Sequence, residues 1–321
     1  MDAWKLFAVG LVGLGCVATV AAQQWPNKPV RLIVPYPAGG GLDPVSRMLG
    51  QKLTEAWKVP VVVENKPGAS GSMGAAYVAQ APADGHTILT SAIAEVAINQ
   101  YTMQKLAYDP EKDLKPVTLM VRLPFVLVTH PSRPYSTAAE LIEYARKNPG
   151  KVTYASSGPG TPQHLAGVLF EQLAGVTMTH VPYKGVVPSI QDLLGGHVDI
   201  GFAGLPTGLP HVQSGALKAL GLSALTASPS APQIAPLSLT KGLQGFELTQ
   251  WFAVFVPKNT PDAVVQRIQQ SFSEVLRLPE VKESLEKQGA QPSGMSTEEF
   301  TRFLASERDK FSKVVKTANI Q

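Results

Sequence analysis

Short apolar runs alternate with amphipathic segments along this chain, and this alternation constrains its fold more than any other feature. The run at residues 30–36 leads through the turn PAGGGLD into residues 44–57, whose apolar side chains share one helical face. Further apolar runs follow at 59–65 and 86–91. Continuous apolar strands that alternate with amphipathic helices are typical of a parallel sheet covered on both faces. The pattern therefore predicts an α/β protein.

The same pattern starts again near residue 137 and predicts a second unit. Its predicted helices and strands are helices 137–149, 162–175 and 187–196 and strands 152–157, 178–183, 198–204 and 217–224. The apolar stretches LPFVLVTHP and LTQWFAVFVP are candidate crossings between the two units. Two crossings would form a hinge, and ligands bind in the cleft between hinged lobes. We predict lobe 1 over 23–124 and 253–321 and lobe 2 over 125–252.

Residues 1–22 differ in composition from the rest. A lysine near the start, an uncharged apolar run from about 6 to 20 and small residues at the end are typical of a secretory signal peptide, cleaved after Ala22. A membrane anchor is an alternative, although a span needs about 20 apolar residues. A lipoprotein is another, because Cys16 follows GLG, although Gly13 is a poor match to the usual leucine. We expect a periplasmic protein whose mature chain has no cysteine, which excludes disulfides and thiolate metal sites.

The charge of the chain argues against a nucleic-acid partner. The formal net charge is +4, and the 28 Lys and Arg residues are scattered rather than clustered. After the signal peptide no stretch is apolar and long enough to cross a membrane. Any membrane role would therefore need a partner.

Four predicted strand-to-helix turns could expose backbone N–H groups at one sheet edge: residues 37–43, 66–72, 156–161 and 202–208. Asp43 before Pro44 is predicted as a helix N-cap, and Thr161 before Pro162 as another. Ligands of open parallel sheets bind at this edge, where glycines permit close approach and helix N-termini favour anions. We predict an anion site; simple tight turns are the alternative.

Common catalytic motifs are absent from the chain. It has no Walker A motif, no spaced dinucleotide-binding glycines, no HExxH and no GxSxG elbow. The six histidines have no spacing typical of metal ligands, so we expect no metal and no cofactor. His164, in the first turn of a predicted helix, is the histidine most open to a binding role. We therefore predict that the protein is not an enzyme. A secreted hydrolase that uses Ser70, Ser156 or Ser157 as its nucleophile is the alternative.

Several long motifs together resemble one family. The segments WPNKPVRLIVPYPAGGGLDPVSRMLGQKL, VVVENKPGASGSMGAAYVAQAPADGHTIL, YASSGPGTPQHLAGVLFEQLAG and HVPYKGVVPSIQDLLGGHVDI resemble the Bug family, the periplasmic solute receptors of tripartite tricarboxylate transporters. The resemblance implies a two-lobed periplasmic-binding-protein fold (type II, Venus flytrap). It also implies a monomer that closes on a small carboxylate and presents it to two integral membrane subunits. A sensory receptor that feeds a signalling partner would use the same binding chemistry.

The resemblance also implies the ligand contacts. In lobe 1 these are Ala38, Gly39, Gly40, Gly41, Ala69, Ser70 and Gly71, and Tyr36, Asp43 and Ser91 are further candidate contacts, although Asp43 could instead have a structural role. In lobe 2 they are Ser156, Ser157, Gly158, Thr161, His164, Ala203 and Gly204. Many relatives have Asp or Asn where this chain has Ala203 and Gly204, and an ammonium group would want that acidic partner. We therefore predict a dicarboxylate or an aromatic carboxylate rather than an amino acid.

Overall fold

The computed structural model describes residues 25–39 and 41–318. The predicted signal peptide and Gly40 lie outside the described residues. The strands are β1 (Val30–Val34), β2 (Val61–Asn65), β3 (Thr87–Ala92), β4 (Leu114–Thr129), β5 (Thr153–Ser156), β6 (Thr179–Pro182), β7 (Ile200–Gly204), β8 (Lys218–Leu222), β9 (Thr249–Pro257) and β10 (Gln291–Pro292). The helices are α1 (Leu42–Trp57), α2 (Ser72–Ala79), α3 (Asn99–Thr102), α4 (Ala138–Lys147), α5 (Pro162–Ala174), α6 (Val186–Leu194), α7 (Leu205–Gln213), α8 (Asp262–Arg277), α9 (Pro279–Lys287) and α10 (Thr297–Ala318).

The strands form a mixed sheet in the order β2-β1-β3-β9-β4-β7-β5-β6, and β8 and β10 also pair with β4. The α/β class is confirmed, but the expectation of a parallel sheet is only partly correct. β1 runs parallel to β2 and β3, and β5 runs parallel to β6 and β7. β9 runs antiparallel to both β3 and β4, and β4 antiparallel to β7. The two central strands, β9 and β4, therefore run antiparallel to each other, and each also runs antiparallel to its outer neighbour in the sheet order.

Strand β4 belongs to both halves of the sheet. Residues 114–124 pair with β9, whereas residues 125–129 pair with β7 and β8. The change of partner falls at Pro124, which has no N–H to donate to a ladder. The first half of the sheet thus contains β1, β2, β3, β9 and β10, and the second half contains β5, β6, β7 and β8. The predicted division into lobes at this point stays a prediction.

Helices cover the sheet with two large apolar clusters. α1 and α8 pack on the first half, where Leu32, Leu53 and Phe272 are fully buried. The Trp57 indole of α1 donates to the Ser271 hydroxyl of α8 at 2.8 Å. The other large cluster contains residues from both halves, among them Leu119 and Phe170, and a smaller third cluster includes Val128 and Leu222. No helix among residues 25–39 and 41–318 is long and apolar enough to cross a membrane.

The predicted elements agree with the structure at most positions, and three segments differ. A π-helical turn at Ala94–Ile98 and helix α3 follow β3, and helix α9 lies between α8 and α10. The predicted turn at 202–208 is largely helical, because α7 begins at Leu205. After α6 the left-handed cap, expected at Gly195 or Gly196, is Gly196, with a φ of 68°.

Candidate functional site

A cavity of about 590 Å³ lies between the two halves of the sheet. Its volume is in the range that holds a small ligand. Its walls come from the β1–α1 connection, the turn of residues 68–71, the segment from Ala92 to Met103, the turn of residues 157–161 with the start of α5, and β9. The lining residues are Tyr36, Pro37, Gly41, Leu42, Ser70, Ala92, Ile93, Ala94, Asn99, Thr102, Met103, Ser157, Pro159, Gly160, Thr161, Pro162, Gln163, Val186, Gln250 and Phe252.

Two helices start at the cavity wall, one from each half of the sheet. Gly41 and Leu42 line the cavity at the start of α1, and Thr161 and Gln163 line it at the start of α5. The first N–H groups of a helix have no partner within the helix, and the helix dipole makes this end electropositive. Helix N-termini are therefore suited to hold an anion.

The third wall element is a turn with unusual backbone geometry. Residues 68–71 all have positive φ values, including 46° at Ala69 and 50° at Ser70. Each of these two residues costs about 1–2 kcal/mol relative to glycine in this conformation. The Asn99 side-chain amide holds the turn, donating to the Ser70 carbonyl at 3.0 Å and to the Ser72 hydroxyl at 2.8 Å. Turns of this kind can present successive N–H groups to an anion.

The predicted N-cap role of Asp43 is wrong. Gly41 precedes the helix, and Asp43 lies in its first turn, 4 % exposed and outside the cavity lining. Its carboxylate accepts from the Gly39 N–H at 3.0 Å, from Arg47 Nε at 3.0 Å and from Asn65 Nδ2 at 2.8 Å. Burial raises the pKa of this carboxyl, but the hydrogen bonds from Arg47, Gly39 and Asn65 outweigh it and lower the pKa overall. Asp43 thus organises the loop, and the N–H of Gly39 is already used within it.

The other residues predicted in lobe 1 divide between the cavity lining and positions outside it. Ala38, Ala69, Gly71 and Ser91 are outside the lining, whereas Tyr36, Gly41 and Ser70 are part of it. The Gly71 N–H donates to the Gly68 carbonyl at 3.0 Å, which closes the turn. Ser91 is fully buried. Gly71 and Ser91 are thus buried beside the lining, whereas Ala38 and Ala69 are exposed outside it.

In lobe 2 the predicted residues divide in the same way. Ser157 and Thr161 line the cavity; Ser156, Gly158 and His164 support the turn from below. The Ser156 hydroxyl lies 2.6 Å from His180 Nε2 and accepts from the Gly158 N–H at 3.1 Å. Thr161 occupies the N-cap position, but its hydroxyl donates to the Gly158 carbonyl at 2.7 Å instead of capping α5.

His164 is a buried support and not part of the cavity surface. Its Nδ1 accepts the Gly160 N–H at 3.1 Å, and its ring stacks on His180 with centroids 3.8 Å apart. Burial, together with the neighbouring His180, lowers the pKa of His164 to about 4. The imidazole is therefore neutral near pH 7, as the acceptor role at Nδ1 requires.

The geometry gives little support to a serine nucleophile. Ser157 is the cavity serine of the 157–161 turn, and its hydroxyl donates to the Gln163 amide oxygen at 3.0 Å. An amide oxygen is not a general base. Ser156 does have a histidine neighbour, but its side chain is 1 % exposed and lies outside the lining.

The fourth predicted turn lies outside the cavity lining. Ala203 and Gly204 end β7, which pairs with β4 up to Phe125, and neither residue lines the cavity. The chain then enters α7, which packs against β4 so closely that a Cβ at Gly208 would lie 2.6 Å from Val126. Ala203 and Gly204 therefore give no indication of whether the ligand carries an ammonium group.

The side chains that line the cavity indicate how the negative charge of a ligand would be held. None of the described residues that line the cavity carries a charged side chain, and none is a histidine. The described residues also contain no cluster of three acidic, histidine or cysteine side chains that could hold a metal ion. A ligand's negative charge would therefore meet backbone N–H groups and neutral polar side chains.

Sequence reasoning missed several lining residues. Asn99 and Met103 belong to a segment that had no predicted element, and Gln250 and Phe252 belong to a predicted crossing strand with no assigned binding role. Gln163 stands two positions after a predicted site residue, which was the one available signal.

Comparisons with known proteins agree with this arrangement. The model of the family described as "Tripartite tricarboxylate transporter family receptor" matches residues 45–320. Protein BugT of Bordetella pertussis is 34 % identical over 303 residues, covering 94 % of this chain and 93 % of BugT.

Two similar solved structures are described with a dicarboxylate. "R. palustris Rpa4515 with adipate" has a TM-score of 0.79 and 32 % identity, covering 92 % of this chain and 98 % of its own. "MatC (Rpa3494) from Rhodopseudomonas palustris with bound malate" has a TM-score of 0.74 and 28 % identity, covering 91 % and 100 %. The predicted periplasmic-binding-protein fold is confirmed.

Proposed function

Because this chain belongs to the tripartite tricarboxylate transporter receptor family, we propose that it binds a small carboxylate in the cavity and delivers it to the membrane subunits of such a transporter. The family consists of periplasmic solute-binding receptors and not of enzymes. The neighbours that carry adipate and malate support a carboxylate ligand.

One observation carries the proposal: the starts of α1 and α5 and the 68–71 turn meet at one cavity that has no charged side chain among its described lining residues. A carboxylate would be held by backbone N–H groups and by the hydroxyls of Ser70 and Thr161. Such donors are fixed before the ligand arrives, so little conformational entropy is lost on binding.

The apolar part of the cavity narrows the ligand class. Ile93, Met103, Val186 and Phe252 contribute apolar surface to the lining. A dicarboxylate would place one carboxylate at each helix start and its methylene chain against these side chains; an aromatic acid would place its ring there. An α-ammonium group would find no acidic side chain among the described lining residues.

Delivery requires a surface that differs between the free and the bound protein. The chain passes between the halves of the sheet at β4 and β9, and the cavity is lined from both halves. A ligand that contacts both walls would stabilise a closed form, which the membrane subunits could then distinguish from the open one. We propose that export by residues 1–22 places this receptor in the periplasm.

A thermal-shift screen of the mature protein tests the proposal. The panel contains adipate, malate, succinate, benzoate, aspartate and glutamate. A ligand at 100 times its Kd adds about 2.7 kcal/mol to the free energy of unfolding and raises the Tm by about 5 °C. We expect the largest shift from a dicarboxylate or benzoate. A shift from aspartate or glutamate alone would contradict the ligand class, and the absence of any shift would contradict carboxylate binding.

Solution scattering with the best acid from that screen tests closure separately. We expect the radius of gyration to fall on binding. An unchanged radius of gyration at saturating ligand would contradict the proposed closure but not the proposed carboxylate binding.

A further inference from the structure

A buried carboxyl lies directly behind the lobe 1 wall of the cavity. Glu95, in the π-helical turn after β3, is 1 % exposed, and its neighbours Ala92 and Ala94 line the cavity. The hydroxyl of Tyr36, another lining residue, donates to Glu95 Oε2 at 2.7 Å. A Cβ at Gly71 would lie 2.8 Å from the same oxygen. Glu95 thus touches two of the wall elements that are proposed to hold the ligand.

The partners of the Glu95 carboxyl are neutral. Its Oε1 accepts the Ala92 N–H at 2.7 Å and lies 3.0 Å from the Ser91 hydroxyl. Among the described residues no cationic side chain forms an ion pair or a hydrogen bond with this carboxyl. Burial raises the pKa of Glu95 to about 7, although the hydrogen bonds from Tyr36, Ala92 and Ser91 act in the opposite direction. The carboxyl can therefore change its charge near neutral pH.

The other ionisable groups near Glu95 include two tyrosines, whose hydroxyls do not change their charge near neutral pH. Burial raises the pKa values of Tyr36 and Tyr108, so both phenols stay neutral near pH 7. The Tyr108 hydroxyl donates to the Glu95 main-chain carbonyl. Arg308, from α10, donates to the carbonyls of Val96 and Pro110, each at 3.0 Å, and lies 3.7 Å from Glu111. Arg308 and its partner Glu111 thus contact the main chain of the π-helical turn and its surroundings, and not the Glu95 carboxyl.

We propose that binding of the ligand carboxylate is coupled to the uptake of one proton by Glu95. This inference rests on the proposed function, since it requires a carboxylate at the 68–71 turn. An anion there faces an ionised Glu95 as a like charge, and like charges favour the neutral form of the titrating group. The ionised carboxyl takes a proton from solvent and becomes the neutral acid. The Tyr36 hydroxyl can then rotate to accept the new O–H.

The coupling makes affinity depend on pH with a defined sign. Below the pKa of free Glu95 the carboxyl is already neutral, so the ligand binds without taking up a proton. Above that pKa the protein must first gain a proton, and the affinity falls as pH rises. Linkage limits this fall to tenfold per pH unit above the pKa of free Glu95, which is about 7, so we expect binding at pH 8.5 to be weaker than at pH 6 by up to about 30-fold.

Two substitutions separate this role from a structural one. Glu95→Gln keeps the size and the acceptor oxygen, and its amide can donate to the Tyr36 hydroxyl. Glu171→Gln is the matched control, because burial also raises the pKa of Glu171. Glu171 lies nine residues along α5 from Pro162, about 13 Å from the helix start, and its carboxyl accepts the Met178 N–H outside the cavity.

The experiment is titration calorimetry with adipate, malate and benzoate at pH 6, 7.5 and 8.5, in buffers of different ionisation enthalpy. We expect wild type and Glu171→Gln to take up protons at pH 7.5 and to lose affinity toward pH 8.5. Glu95→Gln should bind at least as tightly as wild type at pH 8.5, with no proton uptake. Neither His164 nor His180 would produce this profile, because burial lowers both pKa values.

Four other outcomes would overturn the inference. Binding without proton uptake in wild type, or equal uptake in Glu95→Gln, would do so and leave the proposed function intact. A loss of affinity in Glu95→Gln at every pH would show that Glu95 only positions Tyr36. Absence of binding by all three acids would overturn the proposed function, and the coupling with it.

Discussion

Replacing Asn99 by alanine tests whether the backbone geometry of the 68–71 turn determines affinity. The left-handed conformations of Ala69 and Ser70 together cost about 2–4 kcal/mol. The Asn99 amide offsets this cost with two hydrogen bonds, each of which contributes about 0.5–1.5 kcal/mol net. Without them the turn would relax, and restoring it on binding would cost about 2 kcal/mol. We expect Asn99→Ala to weaken carboxylate binding about 30-fold.

The assay is titration calorimetry with the acid that gives the largest thermal shift. Asn148→Ala is the control, because the Asn148 amide also donates to a carbonyl, that of Tyr144 at 2.9 Å, but lies outside the cavity. It should leave affinity unchanged. Adding Ala69→Gly to Asn99→Ala should recover part of the lost affinity, since glycine adopts a positive φ without the steric cost. Full affinity in Asn99→Ala, or no recovery in the double variant, would refute the reasoning.

Two further predictions concern the support beneath the 157–161 turn. A Cβ at Gly167 would lie 2.2 Å from the Tyr154 ring, which is 1 % exposed, so Gly167→Ala should lower the free energy of unfolding in urea by about 2 kcal/mol. Gly204→Ala, with no atom closer than 4.0 Å to the new Cβ, should be neutral; equal losses would contradict the packing argument. Burial and His180 lower the pKa of folded His164 to about 4, against about 6.5 unfolded. The folded state then binds fewer protons, so wild type should lose stability as pH falls from about 6.5 to 4. His164→Asn, which keeps an acceptor for Gly160, should lose less, and an identical pH profile would exclude His164 as the source.

Local sequence patterns were sufficient for much of the fold and for part of the site. The glycines before Pro44 and the helical periodicity after it correctly placed α1, and Thr161 with Pro162 placed the start of α5. Asp43 and Arg47, four residues apart on α1, form an ion pair in which Arg47 Nε lies 3.0 Å from Asp43 Oδ2. The predicted capping role of Asp43 was wrong, because helix α1 starts one residue before Asp43. Whether Gly41 or Asp43 occupies the N-cap position depends on hydrogen bonds within the loop, such as that from the Gly39 N–H to Asp43.

Contacts between distant segments explain what local patterns could not predict. The sequence GLPTGLP has the composition of a loop, but Pro206 fits the first turn of a helix and the small Gly208 allows α7 to pack on β4. Asn99 supports Ser70 across 29 positions of the chain, and no local signal marks that pairing. Glu95 likewise meets Tyr36 across 59 positions.

A crystal structure with the tightest-binding carboxylate tests the central claim most directly. We predict that one carboxylate lies in the cavity with its oxygens about 3 Å from backbone nitrogens of the 68–71 turn or the start of α1. Its other end should reach the start of α5 near Gln163. A carboxylate paired with a lysine or arginine side chain, or bound outside this cavity, would contradict the account.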